Sequence, residues 1–201
     1  MNKSWIANAV TATNALFGGL SIMMSIEGNF KTAALFILIA MVADALDGRV
    51  ARALHTAGPM GVELDSLSDD ISFGIAAGAL MYAYQLHELG PVGFIPRALL
   101  GTFCAFRLAR FNVKVTSVHG YFEGLPCPTT GVIVAAYVLS GIKIWNWLAV
   151  LCVLLLAFLM VSEIHYPDNQ GASADQLHLP ALLFCFAFFI ICTIFFLPVL
   201  A

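Results

Sequence analysis

Residues 44 to 70, DALDGRVARALHTAGPMGVELDSLSDD, concentrate five aspartates and a glutamate in a chain of which only 10% is charged. If 44–54 continue one helix and 61–70 open the next, Asp44 and Asp47 stand at i and i+3, and Asp65 and Asp69 at i and i+4. Each pair then shares a helical face. Gly58-Pro59 is strong turn punctuation between the two runs, so the faces can converge into a four-carboxylate cluster. Two carboxylates about 6 Å apart repel by roughly 3 kcal/mol at an effective dielectric near 20, so such a cluster requires a cation or retained protons. Hard oxygen donors select Mg²⁺, Mn²⁺ or Ca²⁺, and no compact set of His and Cys competes for zinc. Two divalent ions suit four carboxylates.

The plainer alternative is a solvated, charged loop between apolar segments. The spacing argues against it, because the acids recur at helical intervals with apolar residues between them. Gly48 follows Asp47 directly and Gly61 precedes Asp65 by four residues. A small residue beside a ligand lets a bulky polyphosphate approach the backbone. Arg52, one turn beyond Gly48, adds a fixed positive charge suited to a phosphate oxygen.

The elements that must carry these residues are apolar helices. The chain has 201 residues, 61% of them hydrophobic, and its 10% charged share lies far below the roughly 25% of globular proteins. Apolar runs near 5–26, 30–52, 66–86, 92–112, 128–143, 145–162 and 179–200 approach or reach the length that spans about 30 Å of hydrocarbon. The expected fold is all-α: a polytopic membrane helix bundle of six or seven transmembrane helices, forming one integral membrane domain over 1–201 among membrane lipids. The first run has no convincing cleavage site and reads as a retained span. A formal charge of −3 and the lack of a basic tract argue against a nucleic-acid partner.

Lysine and arginine set the orientation. With the acidic loop inside, Lys3, Arg49, Arg52, Arg107, Arg110 and Lys114 face the cytoplasm, and Lys31, Arg97 and Lys143 lie opposite. The positive-inside rule therefore predicts a cell-membrane protein whose active-site cavity faces the cytoplasm. Cys104, Cys127, Cys152, Cys185 and Cys192 are odd in number and mostly within apolar runs, as expected of reduced packing residues. His55, His87, His119, His165 and His178 are scattered through predicted loops and read as solvated, as do Asp70 and Glu63. Ser72, Gly74 and Gly78 in the third run, and Gly18 and Gly19 in the first, predict close helix contacts.

Asp44, Asp47, Gly48, Ala51, Arg52, Gly61, Asp65 and Asp69 match without gap or mismatch the pattern D-x2-D-G-x2-A-R-x8-G-x3-D-x3-D. In these eight positions the chain resembles the CDP-alcohol phosphatidyltransferases. The resemblance implies that Asp44, Asp47 and Asp65 hold two divalent ions, Mg²⁺ or Mn²⁺, with Asp69 shared between metal and general base. It implies that Gly48, Arg52 and Gly61 shape the site for a CDP-lipid such as CDP-diacylglycerol, with Asn14 near the nucleotide, and that the enzyme is a homodimer.

Three further segments, RLARFN at 107–112, FEGLPCP at 122–128 and MVSEIHYP at 160–167, resemble the serine-using branch of that family. Arg107 and Arg110, at i and i+3, could form a bidentate anion site for a lipid phosphate or the carboxylate of L-serine. The resemblance spans roughly 10–167, a family-like catalytic bundle over 1–167; 168–201 supply a loop and an additional apolar run. The implied reaction passes a phosphatidyl group from CDP-diacylglycerol to the serine hydroxyl, releasing CMP. Alternatives are another acceptor (glycerol-3-phosphate or inositol phosphate), an archaeal ether-lipid donor or, in another class, a cation transporter using the acids as an ion path. Against the transporter stand the lack of a repeat and an arginine placed where a conducted cation would be repelled.

Overall fold

A computed structural model of the chain describes residues 3–54, 56, 58–113, 121–162 and 165–167. The described chain is helical, in the order α1 (Lys3–Ile26), α2 (Phe30–Leu54), α3 (Pro59–Asp69), a π-helical turn (Asp70–Ile75), α4 (Ala76–Tyr84), a 3₁₀ connection (Leu86–Gly93), α5 (Phe94–Val113), α6 (Cys127–Leu139) and α7 (Asn146–Val161). To these it adds a feature the sequence did not suggest. Tyr121–Glu123 (β1) and His165–Pro167 (β2) pair antiparallel, with Phe122 opposite Tyr166.

Six of the expected apolar runs coincide with these helical rods, α3, the π turn and α4 forming one of them; the run at 179–200 lies outside the described residues. Ala7–Ile26 and Leu86–Val113 are long and apolar enough to cross a bilayer, each with a mean hydropathy of 1.4. At 13 and 16 residues, α6 and α7 are shorter, about 20 and 24 Å at 1.5 Å per residue.

The connections follow from local chemistry. At the predicted Glu27-Gly28-Asn29 turn, Gly28 has φ +74°, the left-handed conformation that ends helices, and the Asn29 amide returns to the Met24 carbonyl at 2.9 Å. Asn29 then opens α2, its carbonyl accepting from Ala33 N–H and its side chain from Thr32 N–H. Pro59 stands at the start of α3, where its missing N–H costs nothing.

The α3–π–α4 rod passes through the middle of the bundle, against α1, α5 and α6. Its small residues permit that closeness. A Cβ on Gly74 would stand 2.9 Å from the Cβ of Cys104, and one on Gly18 of α1 would stand 2.8 Å from the Cα of Ser72. Phe73, Ile37, Leu80, Leu100 and Met160 are fully buried around the rod. At the end of the bundle away from the acidic motif, buried Gln85 is held by the Tyr137 hydroxyl, the Ile144 carbonyl and the Asn146 side chain. Beside it, Glu88 accepts from Lys143 at 3.1 Å and from Asn146 at 2.9 Å. This polar knot satisfies its own members and ties α4, α6 and α7 together.

Candidate active site

Asp44 and Asp47 come from the last turns of α2, and Asp65 and Asp69 from α3 beyond the Gly58-Pro59 turn. The helices bring them together as their spacing predicts. One carboxylate oxygen each from Asp44, Asp47 and Asp65 lie within 4.8 Å of one another. Asp69 completes the group beside Asp44 and Asp65, and is only 7% exposed. Among the described residues no lysine or arginine forms an ion pair with any of the four. At the separations seen here each like-charged pair costs on the order of 3 kcal/mol, so the cluster is incomplete without a cation or protons.

The donor set fits a divalent ion. Opposite oxygens of an octahedron with bonds near 2.1 Å stand about 4.2 Å apart, close to the observed spread. Asp47 Oδ2 and Asp65 Oδ1 are buried with no hydrogen-bond partner, which leaves lone pairs free for coordination. All the donors are hard oxygens, the ligands of Mg²⁺ and Mn²⁺.

Gly48 and Arg52 line the exposed side of α2. The Arg52 guanidinium folds back over Gly48, its Nη1 and Nη2 being 3.7 and 3.9 Å from where a Cβ would stand. Gly61 on α3 faces Asn8 of α1, whose Oδ1 would lie 3.8 Å from a Cβ there. Asn8 and Thr11 were not anticipated as site residues. Thr11 lies beside Asp47 with its hydroxyl donating to the Ala7 carbonyl at 3.3 Å, and Asn14 donates from Nδ2 to Asp69 Oδ1 at 3.0 Å. A signal for them existed, since Asn8, Thr11 and Asn14 recur every three residues in an otherwise apolar helix.

Asn14 is 0% exposed and donates its amide to Asp69. Arg107 and Arg110 do not converge on one anion. Arg107 is buried with Nη1 3.6 Å from Cys127 Sγ and its Nε unpaired. Arg110 donates from Nη1 to the Val161 carbonyl at 2.8 Å and from Nη2 to that of Ser162 at 3.1 Å. Helical spacing set their common face but not the chain end that reached Arg110 first.

Those contacts gather the three serine-branch segments in one place. Arg107 meets Cys127 of FEGLPCP, Arg110 holds MVSEIHYP, and β1 pairs the latter two with each other. Asn112 and Ser66 exchange hydrogen bonds at 3.0 and 3.3 Å, tying α5 to α3 one residue from Asp65. Asp70 departs from expectation. It is half-buried with an unpaired Oδ1, contacts Cys104, and lines a groove of about 540 Å³ with Arg97, Gly101 and Thr102 on the α5 flank. The rod's tight seat against α5 keeps it out of open solvent. His87 and Glu63 are exposed as expected, Cys104, Cys127 and Cys152 are free thiols, and Lys114, His55, His119 and His178 lie outside the described residues.

The family pattern for CDP-alcohol phosphatidyltransferases matches residues 4–161, taking in every helix from α1 to α7. The chain belongs to that family. The CDP-alcohol phosphatidyltransferase fold thus carries its aspartate signature on the convergent ends of α2 and α3, and membership removes the ion-transport alternative. The chain is 36% identical over 168 residues to a CDP-diacylglycerol–serine O-phosphatidyltransferase of Helicobacter pylori (strain ATCC 700392 / 26695), covering 80% of this chain and 71% of the relative. It is 32% identical over 177 residues to the protein of that name from Bacillus subtilis (strain 168), covering 87% and 96%. An archaetidylserine synthase of Methanothermobacter thermautotrophicus is 34% identical over 175 residues, covering 84% and 72%.

Proposed function

We propose that this phosphatidyltransferase uses L-serine as acceptor and CDP-diacylglycerol as donor, forming phosphatidylserine and CMP. The observation that carries the reading is the convergence of Asp44, Asp47 and Asp65 beside a fourth, separately held carboxylate, Asp69. Asp44, Asp47 and Asp65 would hold two divalent ions. When bound, these supply neutralisation of the donor pyrophosphate and of the charge that develops on the attacked phosphoryl group and departing CMP.

The chain's own residues do the rest. Asp69 takes the proton from the serine hydroxyl as its oxygen bonds to the β-phosphorus and the bond to CMP breaks. Gly48 and Gly61 leave room for the nucleotide, and Arg52 lies at the exposed side of α2 for a phosphate oxygen. Arg107, with its Nε unpaired, is assigned to the serine carboxylate.

Serine is favoured over a phosphorylated acceptor because the second arginine is already occupied by the end of α7. Serine also names the relatives of both donor types. An archaetidyl donor therefore stays as the second reading, on the strength of the Methanothermobacter relative. The bundle would cross the cell membrane with six or seven helices, the site facing the cytoplasm, in a homodimer.

Radiolabelled CDP-diacylglycerol incubated with the detergent-solubilised chain, Mn²⁺ and serine, glycerol-3-phosphate or inositol phosphate tests the assignment. Labelled phosphatidylserine from serine alone is the expected result. A labelled product from a phosphorylated acceptor, or CMP release that ignores serine, overturns it.

A further inference from the structure

Helix α1 lies outside the aspartate signature, yet it presents a buried polar stripe to it. Thr11, Asn14, Ser21 and Ser25 fall at intervals of three, seven and four residues, each at most 5% exposed. Asn14 reaches Asp69, while Thr11 and Ser25 are bonded to their own helix, to the Ala7 and Ser21 carbonyls. We infer that Asn14 is a positioning residue for Asp69. Its amide holds one oxygen of the base and leaves the other for the acceptor hydroxyl. The inference rests on the function proposed above.

The geometry is built from both helices. Asn14 Nδ2 donates to Asp69 Oδ1 at 3.0 Å, in a position with no exposure to solvent. Three residues further along the rod, the Ser72 hydroxyl donates to the Asn14 carbonyl at 2.9 Å, which anchors the same residue through its backbone. One turn along α1, Gly18 lies so close to Ser72 that a Cβ would stand 2.8 Å from the Ser72 Cα. α1 and the rod are thus pressed together at the level of Asp69, and Asn14 is clamped at both its backbone and its side chain. A carboxylate that must accept a proton loses rate when its rotamer wanders, because the acceptor hydroxyl has to be met within hydrogen-bond reach. Two helices held in fixed register restrict that wandering. Asn14 Oδ1 has no partner of its own, so the amide is oriented by the donation to Asp69 alone.

A nucleotide contact and a positioning role predict different kinetics. Asn14→Ala is expected to lower kcat by about 10- to 100-fold, in the range seen when a supporting hydrogen bond to a functional group is removed. The KM values for CDP-diacylglycerol and serine stay within about twofold, because binding groups are untouched. Asn14→Gln, which keeps the donor on a longer arm, recovers part of the lost kcat. Equilibrium binding of CDP-diacylglycerol and the Mn²⁺ electron paramagnetic resonance signal, both read without turnover, remain those of the parent chain.

Asn14→Leu, of similar size and with no hydrogen-bonding group, carries the same test where the alanine variant does not fold, and the same loss in kcat is expected. Parent-like kcat in the folded Ala or Leu variant overturns the inference, as does a raised KM for CDP-diacylglycerol with kcat held. Failure of the parent chain to release CMP in a serine-dependent way strikes the proposed function instead, so the two failures are told apart.

Discussion

Arg110 of α5 closes the C-terminus of α7, donating to the Val161 carbonyl at 2.8 Å and the Ser162 carbonyl at 3.1 Å. Helix ends leave carbonyls without internal partners, and a guanidinium supplies two parallel donors to them. The residue that spacing paired with Arg107 is thus a brace between α5 and α7.

Replacing Arg110 should therefore act first on stability. Arg110→Ala is expected to destabilise by about 2 kcal/mol, the loss of charge-assisted hydrogen bonds to two half-buried carbonyls. Arg110→Lys should recover less than half of this, since an ammonium lacks the fork. Thermal unfolding of the detergent-solubilised variants measures both.

Asp69→Asn should separate binding from turnover. The amide keeps the shape beside Asn14 and Asp44 but cannot take a proton, so turnover is expected to fall by about 10²- to 10⁴-fold. CDP-diacylglycerol binding and Mn²⁺ affinity should change little. Turnover near that of the parent would remove Asp69 as base.

Metal removal should be reversible and selective. Chelation is expected to abolish CMP release, with Mg²⁺ or Mn²⁺ restoring it, because the donors of Asp44, Asp47 and Asp65 are hard oxygens. Mn²⁺ at about 100 times its dissociation constant should raise stability by about 2.7 kcal/mol. A thermal-shift series reads this, and Asp47→Asn should lose most of the shift.

Gly74→Ala should harm the fold from a position that touches no substrate. Its Cβ would stand 2.9 Å from that of Cys104 and 3.2 Å from the Gly101 Cα, closer than packed atoms tolerate. Overpacking of this kind costs about 1–3 kcal/mol. A lowered midpoint in thermal unfolding, with the KM for CDP-diacylglycerol unchanged in the folded fraction, is expected.

The acidic site was legible from the chain alone. Intervals of three and four residues force Asp44 with Asp47, and Asp65 with Asp69, onto single helical faces, and Gly58-Pro59 turns one helix back beside the other. The sequence also marked the apolar rods and the small residues where they touch, because bilayer thickness and helix rise leave little freedom. Which distant partners meet those faces followed from the packing of the helices. Asn14 reaches Asp69 across 55 residues, Arg110 reaches Val161 across 51, and β1 joins two segments whose pairing no local pattern encodes. Periodicity says which way a side chain points on its own helix. What waits there is set by how closely neighbouring helices pack, and that depends on contacts such as Gly18 against Ser72 that are far apart in the chain.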